Sequence, residues 1–146
     1  MKSGDQIQLQ FPARRAYLSV VRVLVTSLVD DARDLDAAKI DDLRLAVSEA
    51  CANAIDAYTG GGREAEQVVV RVSIGADRIE VEVLDHAGGF DPGELRPHPP
   101  VTKPARLEFE RGLGIPLMKV LADEVEIRPA DDGTAVRLVL FTGGRR

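Results

Sequence analysis

A chain of 146 residues with 45% hydrophobic and 29% charged side chains fits one globular domain that buries its core without disulfide or metal staples. A net charge of −5 and an aromatic content of 4% argue against broad nucleic-acid binding, which calls for basic patches and stacking platforms. The single cysteine, Cys51, has no partner in the chain, the N-terminus lacks a signal-peptide core, and the apolar stretch Tyr17 to Val29 is broken by Arg22, Thr26 and Ser27; a soluble cytoplasmic protein with no membrane span is expected.

Gln6 to Phe11 alternates as a short strand with Ile7, Leu9 and Phe11 on one side, and Pro12 ends it. From Ala13 to about Asp31, Tyr17, Val21, Leu24 and Leu28 recur at helical spacing. Asp34-Leu35-Asp36 supplies a cap for a second helix from Ala37 to Tyr58, which stops at Gly60-Gly61-Gly62. Gln67 to Ile74 and Arg78 to Leu84 alternate as strands around a Gly75-Ala76-Asp77 turn. Between Phe90 and Arg111 five prolines remove every regular pattern, and the flanking glycines favour a mobile lid. A short helix from Ile115 to Leu121 and strands at Glu124 to Arg128 and Thr134 to Phe141 complete the chain. Strands reached through hairpins predict an α+β, two-layer sandwich: a mostly antiparallel sheet with helices on one face.

The second helix carries the most informative pattern. At about 100° per residue, Leu43, Val47, Ala50 and Ala54 form an apolar stripe, while Asp42, Glu49, Asn53 and Asp56 gather within roughly 60° of arc. Glu49 and Asn53 lie one turn apart and can address one ligand. An asparagine oxygen suits a hard cation, and a glutamate can accept a proton. Cys51, beside this face, is expected to be a small packing residue rather than a reactive thiol.

Two glycine-containing segments add to that face. Asp85-His86-Ala87-Gly88-Gly89-Phe90 puts an acid at a strand end before glycines that let a planar ligand approach the backbone. Arg111-Gly112-Leu113-Gly114-Ile115-Pro116 places two glycines at a helix entrance, where free amides and the positive helix end suit phosphate, and Arg111 could clamp it. No Gly-Lys-Ser or Gly-Lys-Thr follows, so this is not a P-loop. His86 and His98 have no second ligand at a useful metal-binding spacing.

Glu49-x-x-x-Asn53, Asp85 to Gly89, Gly112-x-Gly114 and Gly133-Thr134 stand in the order of the motifs of the GHKL ATPases, whose nucleotide site is the Bergerat fold. Over Gln6 to Phe141, and most of all in Arg111 to Met118 followed by Ala122-Asp123-Glu124-Val125, the chain resembles the small bacterial anti-sigma-factor serine/threonine kinases of that superfamily. It departs from the usual pattern at Ala87, where a glycine is common, and at Ala57, where relatives often carry histidine.

The resemblance implies one ATP-binding domain over residues 1–146 with an ATP lid at 90–111. It implies ATP and Mg²⁺ as cofactors, with Asn53 on the metal and Asp85 on the exocyclic amine of adenine. Gly89 would lie against the base, Arg111, Gly112 and Gly114 along the phosphates, and Thr134 behind the adenine. Glu49 would be the general base towards the attacking hydroxyl, a role its charge and helix position also fit. The implied partners are a sigma factor and a STAS-type anti-anti-sigma antagonist phosphorylated on serine or threonine, with a homodimer formed through the N-terminal strand and helix. The alternative is a nucleotide-responsive or non-catalytic module that sequesters a regulator. A detached histidine-kinase catalytic domain is less favoured, because no phosphoacceptor-histidine helix is recognisable.

Overall fold

The computed structural model describes residues 4–29, 35–59, 67–85, 114–130 and 133–142. Its elements are β1 (Gln6–Pro12), a 3-10 turn (Arg15–Tyr17), α1 (Leu18–Val29), α2 (Ala37–Thr59), β2 (Gln67–Ile74), β3 (Arg78–Asp85), α3 (Gly114–Leu121), β4 (Glu124–Ala130) and β5 (Gly133–Phe141). The strands make a five-stranded sheet in the order β1-β2-β3-β5-β4. Every neighbouring pair is antiparallel, and the α+β architecture is the one expected from the alternation of its segments.

The period-2 pattern decides which side of the sheet meets the helices. Val68, Val70 and Val72 of β2, Ile79, Val81 and Val83 of β3, and Leu138 and Leu140 of β5 are buried in one core. Against them pack Val21, Val25 and Val29 of α1, spaced four apart, and Leu43, Val47, Ala50 and Ala54 of α2. The buried face of α2 is wider than that stripe, taking in Ala46, Cys51, Ile55 and Tyr58, because α2 touches α1, α3 and the sheet. Burial pushes the Cys51 thiol up to about 12, so it packs as a small apolar group.

The opposite side of the sheet is charged and self-neutralising. One register row runs Gln8, Arg71, Glu82, Arg137, Glu126 across all strands. Arg71 and Arg128 donate to the two oxygens of Glu82 at 3.1 and 2.7 Å, and Arg137 donates to Glu80 at 2.9 Å. Among the described residues, arginines paired with carboxylates leave no basic stripe for a nucleic-acid backbone on this face.

Element ends follow local chemistry. Asp36 caps α2 as expected, its Oδ1 accepting the Lys39 N–H at 2.9 Å. The helix expected from Ala13 instead begins as the 3-10 turn at Arg15. The Arg14 N–H donates to the Pro12 carbonyl at 2.7 Å and Arg14 is extended, so the helical ladder cannot start earlier. β3 runs one residue past Leu84 to Asp85, which pairs with Thr134. At the hairpin between β2 and β3, a Cβ on Gly75 would meet the Arg78 carbonyl oxygen at 3.2 Å, which explains a glycine there. No helix among the described residues is long and apolar enough to cross a membrane.

Candidate functional site

Three of the residues singled out in the sequence converge on one cavity of about 180 Å³ beneath α2. Asn53 reaches it from α2, Asp85 from the last position of β3, and Thr134 from β5. The antiparallel register that places Asp85 directly opposite Thr134 makes the two a cross-strand pair on the helix-facing side of the sheet. Asp85 is 7% exposed, one of two buried polar residues among those described.

Ala50, Ala54 and Ala57 line the α2 side, and their small side chains open the space between the helix and the sheet. Val83, Val136, Ile127 and Met118 supply apolar walls. An apolar-walled cavity that also offers a carboxylate, an amide and a hydroxyl suits a heteroaromatic ring with hydrogen-bonding groups. The walls were not foreseen as parts of a site. The strand alternation already put Val83 and Val136 on the inner face, and Met118 lay inside the Arg111 to Met118 motif, but neither signal says that a gap opens between them.

Glu49 is half-buried one turn before Asn53 and does not line the cavity. Asp56, on the same arc, is engaged instead: Arg15 Nη2 donates to both of its oxygens, at 3.2 and 3.0 Å. Gly114 is the first residue of α3. Gly89, Arg111, Gly112, His86, His98 and the expected lid at 90–111 lie outside the described residues. Among the described residues no group of three metal-ligating side chains occurs. The amide oxygen of Asn53 is a neutral donor of the kind a hard cation accepts.

The model of the histidine kinase-like ATPase domain matches residues 11–140. The chain belongs to this ATPase family. Within it, the chain is 37% identical over 147 residues to the serine-protein kinase RsbW of Bacillus pumilus, covering 97% of this chain and 89% of the relative. It is 33% identical over 148 residues to the RsbW of Bacillus subtilis strain 168, covering 99% and 90%. At these identities over nearly the whole length it is a member of the RsbW serine-protein kinases, as the order of its motifs implied. The crystal structure of the RsbU and RsbW domains of Rv1364c from Mycobacterium tuberculosis superposes with a TM-score of 0.67 at 17% identity, covering 97% of this chain and 33% of that one. The histidine kinase domain of the blue-light-activated kinase EL346 from Erythrobacter litoralis gives 0.53 at 19% identity, covering 96% and 64%. Both likenesses show the shared fold.

Proposed function

We propose that this member of the RsbW kinases binds ATP in the α2–sheet cavity and transfers its γ-phosphoryl group to a serine or threonine of an anti-anti-sigma antagonist, while its other partner is a sigma factor. The observation that carries the reading is the convergence of Asn53, Asp85 and Thr134, far apart in sequence, on one apolar-walled cavity. In this reading Asp85 accepts a hydrogen bond from the exocyclic amine of adenine, and Thr134, its cross-strand neighbour, supports the ring edge. Val83, Met118, Ile127 and Val136 hold the ring faces out of water. Asn53 holds Mg²⁺, which offsets the charge of the phosphates when bound. Glu49, one turn before Asn53, takes the proton of the attacking hydroxyl as the hydroxyl oxygen bonds to the γ-phosphorus and the bond from that phosphorus to the β–γ bridging oxygen breaks, leaving ADP.

Gly89 against the base, Arg111, Gly112 and Gly114 along the phosphates, and closure of 90–111 over the nucleotide complete the proposed site, all within one domain. The proposed homodimer uses β1, an edge strand, and α1, whose Val20 and Val23 are 47% and 65% exposed. The deciding experiment is phosphotransfer from ATP to candidate STAS-type antagonists, with sigma capture measured in parallel. Antagonist phosphorylation supports the kinase reading. Nucleotide binding and sigma capture without transfer to any cognate antagonist would leave a sequestering module.

A further inference from the structure

Successive turns of α2 lay out the proposed site in a row. Ala57 and Asn53 line the cavity, Glu49 follows one turn towards the start of the helix, and Leu45 one turn further. Each step advances about 6 Å along the axis and turns about 40°. At Leu45 the chemistry changes. Its side chain is 46% exposed, and among the described residues it is the large apolar side chain that α2 leaves in solvent. A lone exposed leucine needs no explanation by itself. Its position, a single turn from the proposed base, gives this one a task.

We propose that Leu45 docks the phosphoacceptor segment of the protein substrate, receiving an apolar side chain two residues from the phosphorylated serine or threonine. The inference rests on the kinase reading given above, in which Glu49 takes the proton of the acceptor hydroxyl. It adds to that reading a residue that selects the substrate.

The spacing carries the assignment. To give up its proton, the acceptor hydroxyl comes within about 3 Å of the Glu49 carboxylate, so the residues flanking it cross α2 there. In an extended segment, side chains two apart point the same way and stand roughly 6.6 Å from each other. The rise of about 6 Å from Glu49 to Leu45 matches that repeat. With the acceptor over Glu49, a neighbour two residues away therefore lies over Leu45. The turn on the opposite side of Glu49 is Asn53, which the nucleotide reading gives to the metal and phosphates, so Leu45 is the turn left to the substrate chain. Asp42 and Glu49, three residues before and four after Leu45, disfavour an acidic side chain in that place.

The test uses a STAS-type antagonist that the unmodified full-length protein phosphorylates, with the phosphorylated residue mapped by mass spectrometry. In Leu45→Ala the KM for the antagonist should rise about 3- to 10-fold, the worth of covering the exposed half of a leucine, while kcat and ATP affinity stay within about twofold. Leu45→Met, which keeps the apolar reach, should restore the KM. Alanine at the antagonist's apolar residue two positions from the acceptor should raise the KM to a similar extent, and Leu45→Ala should then add little, because both changes remove one contact. Unchanged KM in Leu45→Ala, additive losses in the pair, or an acceptor with no apolar neighbour two residues away each overturn the proposal. A lower kcat at unchanged KM overturns it as well, by tying Leu45 to the placement of Glu49 instead. If the unmodified protein phosphorylates no antagonist, the kinase reading fails and this proposal with it; that result is distinct from efficient phosphorylation indifferent to Leu45.

Discussion

Asp85 gives the sharpest test of the cavity, because its side chain is 7% exposed and its proposed partner is a single amine of the base. A hydrogen bond to an ionised acceptor is worth about 1.5–3 kcal/mol net, against about 0.5–1.5 kcal/mol for a neutral one. Asp85→Asn keeps the shape and one acceptor oxygen, so the expected loss is about 1–1.5 kcal/mol, or roughly 5- to 13-fold in ATP affinity. Asp85→Ala removes the acceptor and strands the amine in an apolar slot, so the loss should reach roughly 10- to 150-fold. Base preference separates this role from general damage. A carboxylate beside the ring edge selects an amine donor over the carbonyl of guanine, whereas an asparagine can rotate to donate. The preference for ATP over GTP should therefore shrink by about tenfold in Asp85→Asn. Calorimetry with both nucleotides, on proteins shown to be folded by circular dichroism, measures every term. Asp85→Ala binding ATP as tightly as the unmodified protein would refute the assignment of the carboxylate to the base.

The remaining expectations concern α2. Asn53→Ala should lower ATP affinity in Mg²⁺ and have little effect in EDTA, because the amide acts through the metal; equal losses in both media would count against it. Glu49→Gln should leave ATP affinity nearly intact while antagonist phosphorylation falls roughly 10²- to 10⁴-fold, and equal rates for the two proteins would remove the base assignment. For Cys51, burial pushes the folded thiol up to about 12, against 9.0 for an exposed thiol. Above pH 9 the unfolded chain ionises first, so this residue removes stability between about pH 9 and pH 12, by at most about 1.4 kcal/mol per pH unit. Denaturant midpoints of Cys51→Ala should fall less steeply over pH 9–11 than those of the unmodified protein, and parallel slopes would disprove the effect.

Much of the fold was legible because its signals are local. Alternation in Gln67–Ile74 and Arg78–Asp85 fixes which side chains face the helices, and the cap at Asp36 is a contact three residues long. The errors were also local, and physical. Apolar spacing from Ala13 onwards looks helical, but a turn closed on the Pro12 carbonyl holds Arg14 extended and delays the helix. Periodicity registers side chains and is blind to where a backbone N–H is already committed.

The site was legible by halves. Asn53 and Asp85 stood out because each sits at a marked place, a polar position on an amphipathic helix or a strand end before glycines, while Thr134 came only with the family resemblance. The strand pairing that sets Asp85 against Thr134 then brings the β3 end to the β5 start. The width of α2's buried face was harder to read, since alanines at 50, 54 and 57 look like ordinary packing residues until the sheet is set beneath them. Arg15, which pairs with Asp56 outside the cavity, was invisible for a different reason. It lies 41 residues from Asp56 in an unremarkable basic pair with Arg14, and its ionic contact exists only because β1 delivers the chain to the far end of α2. Motifs register groups that one segment supplies by itself. A charge that one segment lends to another is a property of the topology, and the Arg15–Asp56 ion pair is of that kind.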